Sequence, residues 1–347
     1  MTGTITRTSA GSLANVENSL YIQFVEYIDR KKTTSGTYMR NLRQFAKWLY
    51  EHDITEPERK DIIMFRDDMM TRCKPGTVAQ YLRTVKAFYS WGTLEGIFPR
   101  DITANIHPPR VDNRTPKKRH LRPEEVFSIE ESIIETSGEA MRTAYTSQKD
   151  TAGKLERTSE QGKRLYAMFL LAVNNGLRVV ELSRANIKDI EIERGQGYIY
   201  IWGKGHTEAD TRKPLAPEVL GAILDYLNTR TDKANRNAPL FVATGNRSGG
   251  KRIAPTTISG MLKAAMKKAG YNSEKVTAHS LRHTAAQNIL EITKQNIYET
   301  QNYMRHSSPV TTERYLRTTD KAQAREIELS HALFNFYHGM NAAGACV

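Results

Sequence analysis

Ile190-Glu191-Ile192-Glu193-Arg194-Gly195-Gln196-Gly197-Tyr198-Ile199-Tyr200-Ile201-Trp202 is the stretch in which the hydrophobic period of the chain changes. Ile190 and Ile192 alternate with acids, Gly195-Gln196-Gly197 offers a turn, and alternation resumes from Tyr198 to Trp202, so two antiparallel strands are expected. Beyond Gly203-Lys204-Gly205 a polar loop leads to Lys213-Pro214-Leu215, which predicts a third strand. Elsewhere apolar residues recur at helical spacing. The expected fold class is mainly α with a small antiparallel β-sheet.

Working outward, a hydrophobic helix over Leu165 to Ala172 runs into Asn175-Gly176-Leu177-Arg178-Val179-Val180-Glu181-Leu182. Helix starts are expected near Pro217, Pro255, Thr277 and Pro309, and a last amphipathic helix carries Leu329, Leu333, Phe336 and Tyr337. Upstream, Arg122-Pro123-Glu124-Glu125 makes a helix start, with proline early and acids in the first turn. The polar stretch from Thr136 to Lys163 interrupts the pattern and is expected to be a surface loop or a frayed helix extension. From Val16 to Phe98 four short helices are predicted, with breaks at Thr33 to Gly36, at Glu56-Pro57 and at Lys74-Pro75-Gly76. Between Asn105 and His120 lie three prolines and six Lys/Arg/His beyond His107, the composition of an extended basic linker. The expected organisation is a flexible N-terminus (1–15), a helical domain (16–104), a linker (105–120), a second domain (121–318) and a C-terminal helix and tail (319–347).

Lys+Arg 51 against Asp+Glu 38 gives a net charge of +13, an excess that favours a polyanionic partner such as a phosphate backbone. Candidate phosphate contacts lie off the apolar stripes of the helices: Arg40, Arg43 and Lys47 on the second, Arg83 and Lys86 on the fourth. Lys117, Lys118 and Arg119 add a cluster in the linker, which could let two domains close around a duplex. Two distant cysteines, Cys73 and Cys346, imply neither a disulfide framework nor a cysteine metal site. With no apolar leader and no membrane-length run, a cytoplasmic protein without a membrane partner is expected.

The C-terminal region concentrates the chemistry. A phosphodiester transition state spreads negative charge over its equatorial oxygens, and guanidinium groups suit that charge because they stay ionised and bind two oxygens at once. Arg178 and Arg282 each sit near a helix start, where backbone N–H groups add to an anion site. In Ala278-His279-Ser280-Leu281-Arg282-His283, residues 279 and 282 share a helix face and can reach one phosphate. His279 and His283 also have the spacing of a metal pair, but Ser280 stands where a glutamate base would be and no third ligand follows; no metal is expected. In His306-Ser307-Ser308-Pro309-Val310-Thr311-Thr312-Glu313-Arg314-Tyr315, Ser308 and Pro309 cap a helix start and Tyr315 can serve as a nucleophile held at a fixed depth. Its hydroxyl, with an ordinary pKa of about 10, needs cations or a base nearby, and Arg282, His279 and His306 are the candidates. Lys204, between two glycines that permit close approach, is a candidate general acid for the leaving oxygen, and Lys213 competes for that role.

These segments resemble the tyrosine recombinase family, also called lambda-type integrases, which includes the Xer recombinases and Cre. Gly176 to Leu182 looks like the family's first-arginine box with Glu181 as its acidic helper, His279 to Thr284 like its His-x-x-Arg box, His306 like its third-box histidine, and Tyr315 like its nucleophile. Lys204 falls where the family keeps a hairpin lysine. The resemblance implies a helical SAM-like core-binding domain followed by an α+β catalytic domain. It also implies cleavage of a double-stranded DNA site through a 3′-phosphotyrosine, strand exchange through a Holliday junction, and no cofactor. A homotetramer on DNA, with the C-terminal helix exchanged between subunits, is the implied assembly.

Met304-Arg305 departs from the Leu-Gly that the family often has, so the turn must form without glycine and a cation is added near the site. Only some 15 residues precede the first helix, which leads to the expectation of a short core site without a separate arm-binding domain. Integration or excision of a mobile element is the expected role, and Xer-type chromosome or plasmid dimer resolution is the alternative. A type IB topoisomerase, a catalytically silent DNA-binding regulator and a metal-dependent nuclease are more remote readings.

Overall fold

Lys74-Pro75 and Glu58-Arg59 start helices for different reasons. Proline fits the first helical position because no N–H is needed there, whereas the N–H of Glu58 donates to Asp61 Oδ2 at 2.7 Å. In the computed structural model, which describes residues 13–28, 32–111, 119–146, 151–202, 209–244, 249–294 and 296–305, these starts open two of the helices of a first compact unit, Met1–Thr115. Its helices are α1 (Leu13–Tyr27), α2 (Lys32–Glu51), α3 (Arg59–Arg72) and α4 (Pro75–Leu94). The core is rich in aromatic rings, with Phe24, Phe45, Trp48, Phe65, Phe88 and Trp91 all buried. Within it Asn41 Nδ2 donates to Thr84 Oγ1 at 2.9 Å, joining α2 to α4.

The break expected at Thr33 to Gly36 falls inside the first turns of α2. Gly36 costs about 1 kcal/mol against alanine, and burial of Leu42, Phe45, Trp48 and Leu49 on the same helix outweighs that. Burial of a face overrides a locally poor helix start.

The second unit, Pro116–Val347, contains α5 (Pro123–Thr146), α6 (Thr151–Val173), α7 (Val179–Arg184), α8 (Pro217–Leu227), α9 (Pro255–Lys268), α10 (Ala278–Ile292) and α11 (Ile297–Met304). Strands β1 (Ile190–Glu193), β2 (Gln196–Trp202) and β3 (Ala209–Leu215) form one antiparallel sheet in the order β1-β2-β3. Ile190 faces Ile199, which also pairs with Lys213. Ile199 and Ile201 are buried toward the core, as the alternation requires. Met168, Phe169 and Leu171 of α6 lie at the centre of that core.

The polar stretch from Thr136 to Lys163 is helical on both sides of 147–150, which lie outside the described residues. Its Glu, Ala, Met, Lys, Leu and Gln favour helix strongly, but their polarity hides the period that burial would reveal. Gly162 explains how α5 and α6 come together: a Cβ there would stand 2.3 Å from Ser137 Oγ. Helix α11 was not expected. Asn296 Oδ1 accepts from the N–H groups of Tyr298 and Glu299, a cap present in the sequence. The expected helices from Pro309 onward lie outside the described residues. Among the described residues no helix is long and apolar enough to cross a membrane.

Candidate active site

Asn174-Asn175-Gly176-Leu177 joins α6 to α7, and three elements grip it. Gly176 has a φ of 62°, a backbone conformation that favours glycine, and a Cβ there would lie 2.7 Å from Met304 Cε, so a side chain would also have to displace the end of that methionine. Asn175 Nδ2 donates to the carbonyl of Pro214 at 2.9 Å, while the Asn175 carbonyl accepts from Lys213 Nζ at 2.7 Å. Tyr303 on α11 donates its hydroxyl to the Asn174 carbonyl at 2.8 Å, and Lys213 Nζ sits 3.5 Å from the centre of the Tyr303 ring. Strand β3, helix α11 and the loop are therefore one fastened unit.

Arg282, from the second turn of α10, completes the fastening. Only 3% exposed, its guanidinium donates to the carbonyls of Gly176 and Met304, two segments far apart in the chain. Carbonyl partners orient the guanidinium without neutralising it. Arg178 precedes α7, and its N–H donates to Glu181 Oε2 at 2.7 Å while its guanidinium donates to Oε1 at 2.8 Å. The same carboxylate takes a third donor: Arg305 Nη2 lies 2.8 Å from Glu181 Oε2. Arg305 takes the left-handed conformation itself, with φ 53° and ψ 49° at the end of α11. The turn that usually holds glycine thus forms around arginine, at a cost of about 1 kcal/mol.

Burial alone would raise the Glu181 carboxyl, but Arg305 and Arg178 outweigh it and hold the group below the usual carboxylate range. Lys213 is displaced the other way. Burial, reinforced by the cations of Arg305 and Arg282, lowers its ammonium from 10.5 to about 7. His283 is lowered to about 4, first by burial and then by His120 and His279; its ring stacks on His120 at 6.4 Å. His279 is exposed. Among the described residues no group of three or more His, Cys, Asp or Glu could hold a metal.

Arg178, Glu181 and Arg282 thus meet around Gly176, with His279 one turn from Arg282 on α10. Lys204, His306 and Tyr315 lie outside the described residues. In the first unit Arg40, Arg43, Lys47 and Arg83 are exposed, and Lys47 pairs with Glu51 at 3.6 Å. Lys86 donates to the Ile106 carbonyl at 2.8 Å. Lys117 and Lys118 lie outside the described residues, and the Arg119 guanidinium is held by Glu125. Sequence reasoning missed Asn175 and Tyr303, which carry no motif of their own. It flagged Arg305 as an added cation near the site and Lys213 as a competing general acid, and their partners are the Glu181 carboxylate and the Asn175 carbonyl.

Residues 145–322 match the phage integrase family, and residues 20–95 match the N-terminal SAM-like domain of phage integrases. The chain belongs to the phage integrase family. As a tyrosine recombinase of the Xer-like kind it is an enzyme that cleaves and rejoins DNA strands. It is 27% identical to the tyrosine recombinase XerA of Pyrococcus furiosus over 92% of this chain and 95% of that one. Tyrosine recombinase XerD of Staphylococcus epidermidis is 23% identical, over 89% and 97%. The fold is that of the recombinase XerH in a post-cleavage complex with a palindromic difH substrate, with a TM-score of 0.66, 16% identity, and 95% and 91% of the chains covered. A lambda integrase dimer bound to a COC′ core site aligns with a TM-score of 0.61 at 16% identity, over 89% and 81%.

Proposed function

We propose that this recombinase binds a double-stranded DNA site, attacks the scissile phosphate with Tyr315 and forms a 3′-phosphotyrosine, freeing a 5′-hydroxyl. Arg178 and Arg282 bind the equatorial oxygens, where charge grows in the transition state. Glu181 orients Arg178, His279 and His306 assist at the phosphate and the tyrosine hydroxyl, and Lys204 protonates the leaving 5′-oxygen. The 5′-hydroxyl of a partner strand then attacks the phosphotyrosine, restoring the tyrosine and a phosphodiester. Bond energy is conserved throughout, so no nucleotide cofactor is consumed. Two rounds of exchange within a homotetramer pass through a Holliday junction, with the C-terminal helix traded between subunits.

The observation that carries this reading is the convergence of Arg178 and Arg282 on the Gly176 turn, one held by a carboxylate and the other by two carbonyls. Arg40, Arg43, Lys47, Arg83, Lys86, Lys117, Lys118 and Arg119 are the proposed backbone contacts of a clamp with a helical domain over 16–104, a linker over 105–120 and a catalytic domain over 121–318. The test is capture of a covalent adduct, in EDTA, from a pool of nicked duplexes with randomised cores. An adduct that forms with the native protein and not with Tyr315→Phe supports the mechanism; one that survives Tyr315→Phe refutes it.

Integration or excision of a mobile element is the proposed biological role. Dimer resolution is the second reading, favoured by the match to XerA and XerD over nearly their whole lengths. Sequencing the captured duplexes distinguishes them: sites at the ends of an element support the first, and a single chromosomal or plasmid site supports the second.

A further inference from the structure

Arg305 is a cation that the Gly176 turn does not need for its shape. Its backbone is left-handed, a conformation glycine adopts freely, yet the chain places there a long charged side chain and buries it. The Arg305 side chain is 13% exposed, against 39% for Arg178, and both end on the 4% exposed carboxylate of Glu181. Arg178 occupies Oε1 and Arg305 occupies Oε2, which also accepts the Arg178 N–H. The Nε of Arg305 is buried and has no partner among the described residues. One carboxylate therefore balances two guanidinium groups on different elements. Lys213 of β3 and Arg282 of α10 face the same cluster and add charge to it.

We propose that Arg305 is a positioning residue for strand cleavage: through Glu181 it ties the end of α11, from which the chain passes directly to His306, to the turn that carries Arg178. The tether fixes the relative placement of two parts of the site that sequence separates by more than a hundred residues. A carboxylate shared in this way holds Arg178 in orientation while leaving the cluster with surplus positive charge toward a phosphate. This role rests on the cleavage reaction proposed above and deepens it.

The test compares the native chain with Arg305→Gly and Arg305→Lys, using a nicked duplex that the native protein has already been found to cleave. Glycine suits the left-handed backbone, so Arg305→Gly removes the tether while relieving the turn, and a thermal melt checks that it folds. At saturating duplex, Arg305→Gly should form adduct about tenfold to a hundredfold more slowly, with duplex affinity within about twofold of the native value. Arg305→Lys should recover part of the rate. The acid limb of the rate profile should move to higher pH in Arg305→Gly, because Glu181 loses one of the cations that depress its carboxyl.

A rate equal to the native one overturns the role, as does a loss carried wholly by affinity, which would make Arg305 a backbone contact. An unmoved acid limb overturns the coupling through Glu181. A native protein that forms no adduct on any duplex in the pool refutes the cleavage reading itself. That outcome is separate from a native protein that cleaves while Arg305→Gly keeps pace with it.

Discussion

The two units of the recombinase place their charges in opposite ways. Among the described residues of the first, the buried polar ones are Asn41, Asp61, Thr84 and Thr103, and the basic residues singled out from the sequence stay at the surface or half-buried. In the second, Arg164, Arg230, Lys213 and Arg282 are each no more than 5% exposed. Main-chain carbonyls receive all four, Val242 for Arg164, Pro239 and Leu240 for Arg230, Asn175 for Lys213, Gly176 and Met304 for Arg282, and Arg230 is held by the Asp232 carboxylate as well. A buried guanidinium matched by a carboxylate, as Arg230 is, is neutralised, whereas one matched by carbonyls, as Arg282 is, is oriented and stays positive; the buried Lys213 ammonium is instead pushed toward its neutral form. Beside the Gly176 turn the second unit therefore keeps the Arg282 guanidinium oriented and positive, which the aromatic core of the first unit does for none of the basic residues singled out there.

The sharpest way to break this contrast is Arg282→Met, which keeps bulk and removes charge. Adduct formation should fall by about a thousandfold or more, since the group is proposed to bear transition-state charge. Two buried carbonyls lose their donors at once, at about 1–3 kcal/mol each, so the melting temperature of the second unit should drop as well. A variant that melts lower and yet cleaves at the native rate would leave Arg282 with a purely structural part.

Gly176→Ala tests whether the fastening depends on the turn itself. The new methyl meets Met304 Cε at 2.7 Å, and the backbone φ of 62° disfavours any side chain, so a loss of about 1–3 kcal/mol is expected. Pairing it with Met304→Ala separates the two causes. Met304→Ala alone leaves a cavity that costs about 2–5 kcal/mol, so the double variant is measured against it: Gly176→Ala should cost less there than in the native background, and the cost that remains measures the backbone conformation.

How much of this was legible follows the same division. The sheet could be read because Ile190, Ile192, Ile199 and Ile201 alternate, and the first unit because Leu42, Phe45 and Leu49 recur on one helix face. Arg178, Glu181 and Arg282 stood out through motif spacing, a local property. Asn175 and Tyr303 did not, because what matters about them is a contact with β3 or with a loop more than a hundred residues away. The pairing of Arg305 with Glu181 was hidden for the same reason, although the missing glycine marked the place. The polar halves of α5 and α6 were illegible because their helicity rests on propensity and on the approach at Gly162, neither of which leaves an apolar period.

Lys213 offers a subtler probe of the charge beside the Gly176 turn. Its ammonium is lowered from 10.5 to about 7, by burial first and by Arg305 and Arg282 next. The unfolded chain therefore binds more protons than the folded one between those values, and stability rises with pH across that window. Below about pH 7 the full penalty of charging the buried lysine is present. Lys213→Met removes the titrating group along with its bond to the Asn175 carbonyl. Relative to the native protein its melting temperature should therefore be highest at and below about pH 7 and fall off as the pH rises toward 10.5. A difference that does not vary with pH would mean that Lys213 keeps its proton throughout.

The smallest effect belongs to the first unit. Arg40 and Arg83 are exposed, and each is next in sequence to a member of the Asn41–Thr84 hydrogen bond that joins α2 to α4. That bond fixes the spacing of the two helices without using either cation, so Arg83→Ala should leave the unfolding free energy within about 0.5 kcal/mol of the native value. If Arg83 meets a phosphate, its loss releases one fewer counterion, and the slope of log affinity against log salt should become shallower by about 1. Asn41→Ala gives the converse. It removes the donor from Thr84 Oγ1, which still donates to the Gln80 carbonyl, and should lower stability by about 1 kcal/mol while affecting the salt slope only through the spacing of α2 and α4. A steep salt slope retained in Arg83→Ala would move the phosphate contacts away from α4 and toward Arg40, Arg43 and Lys47 on α2.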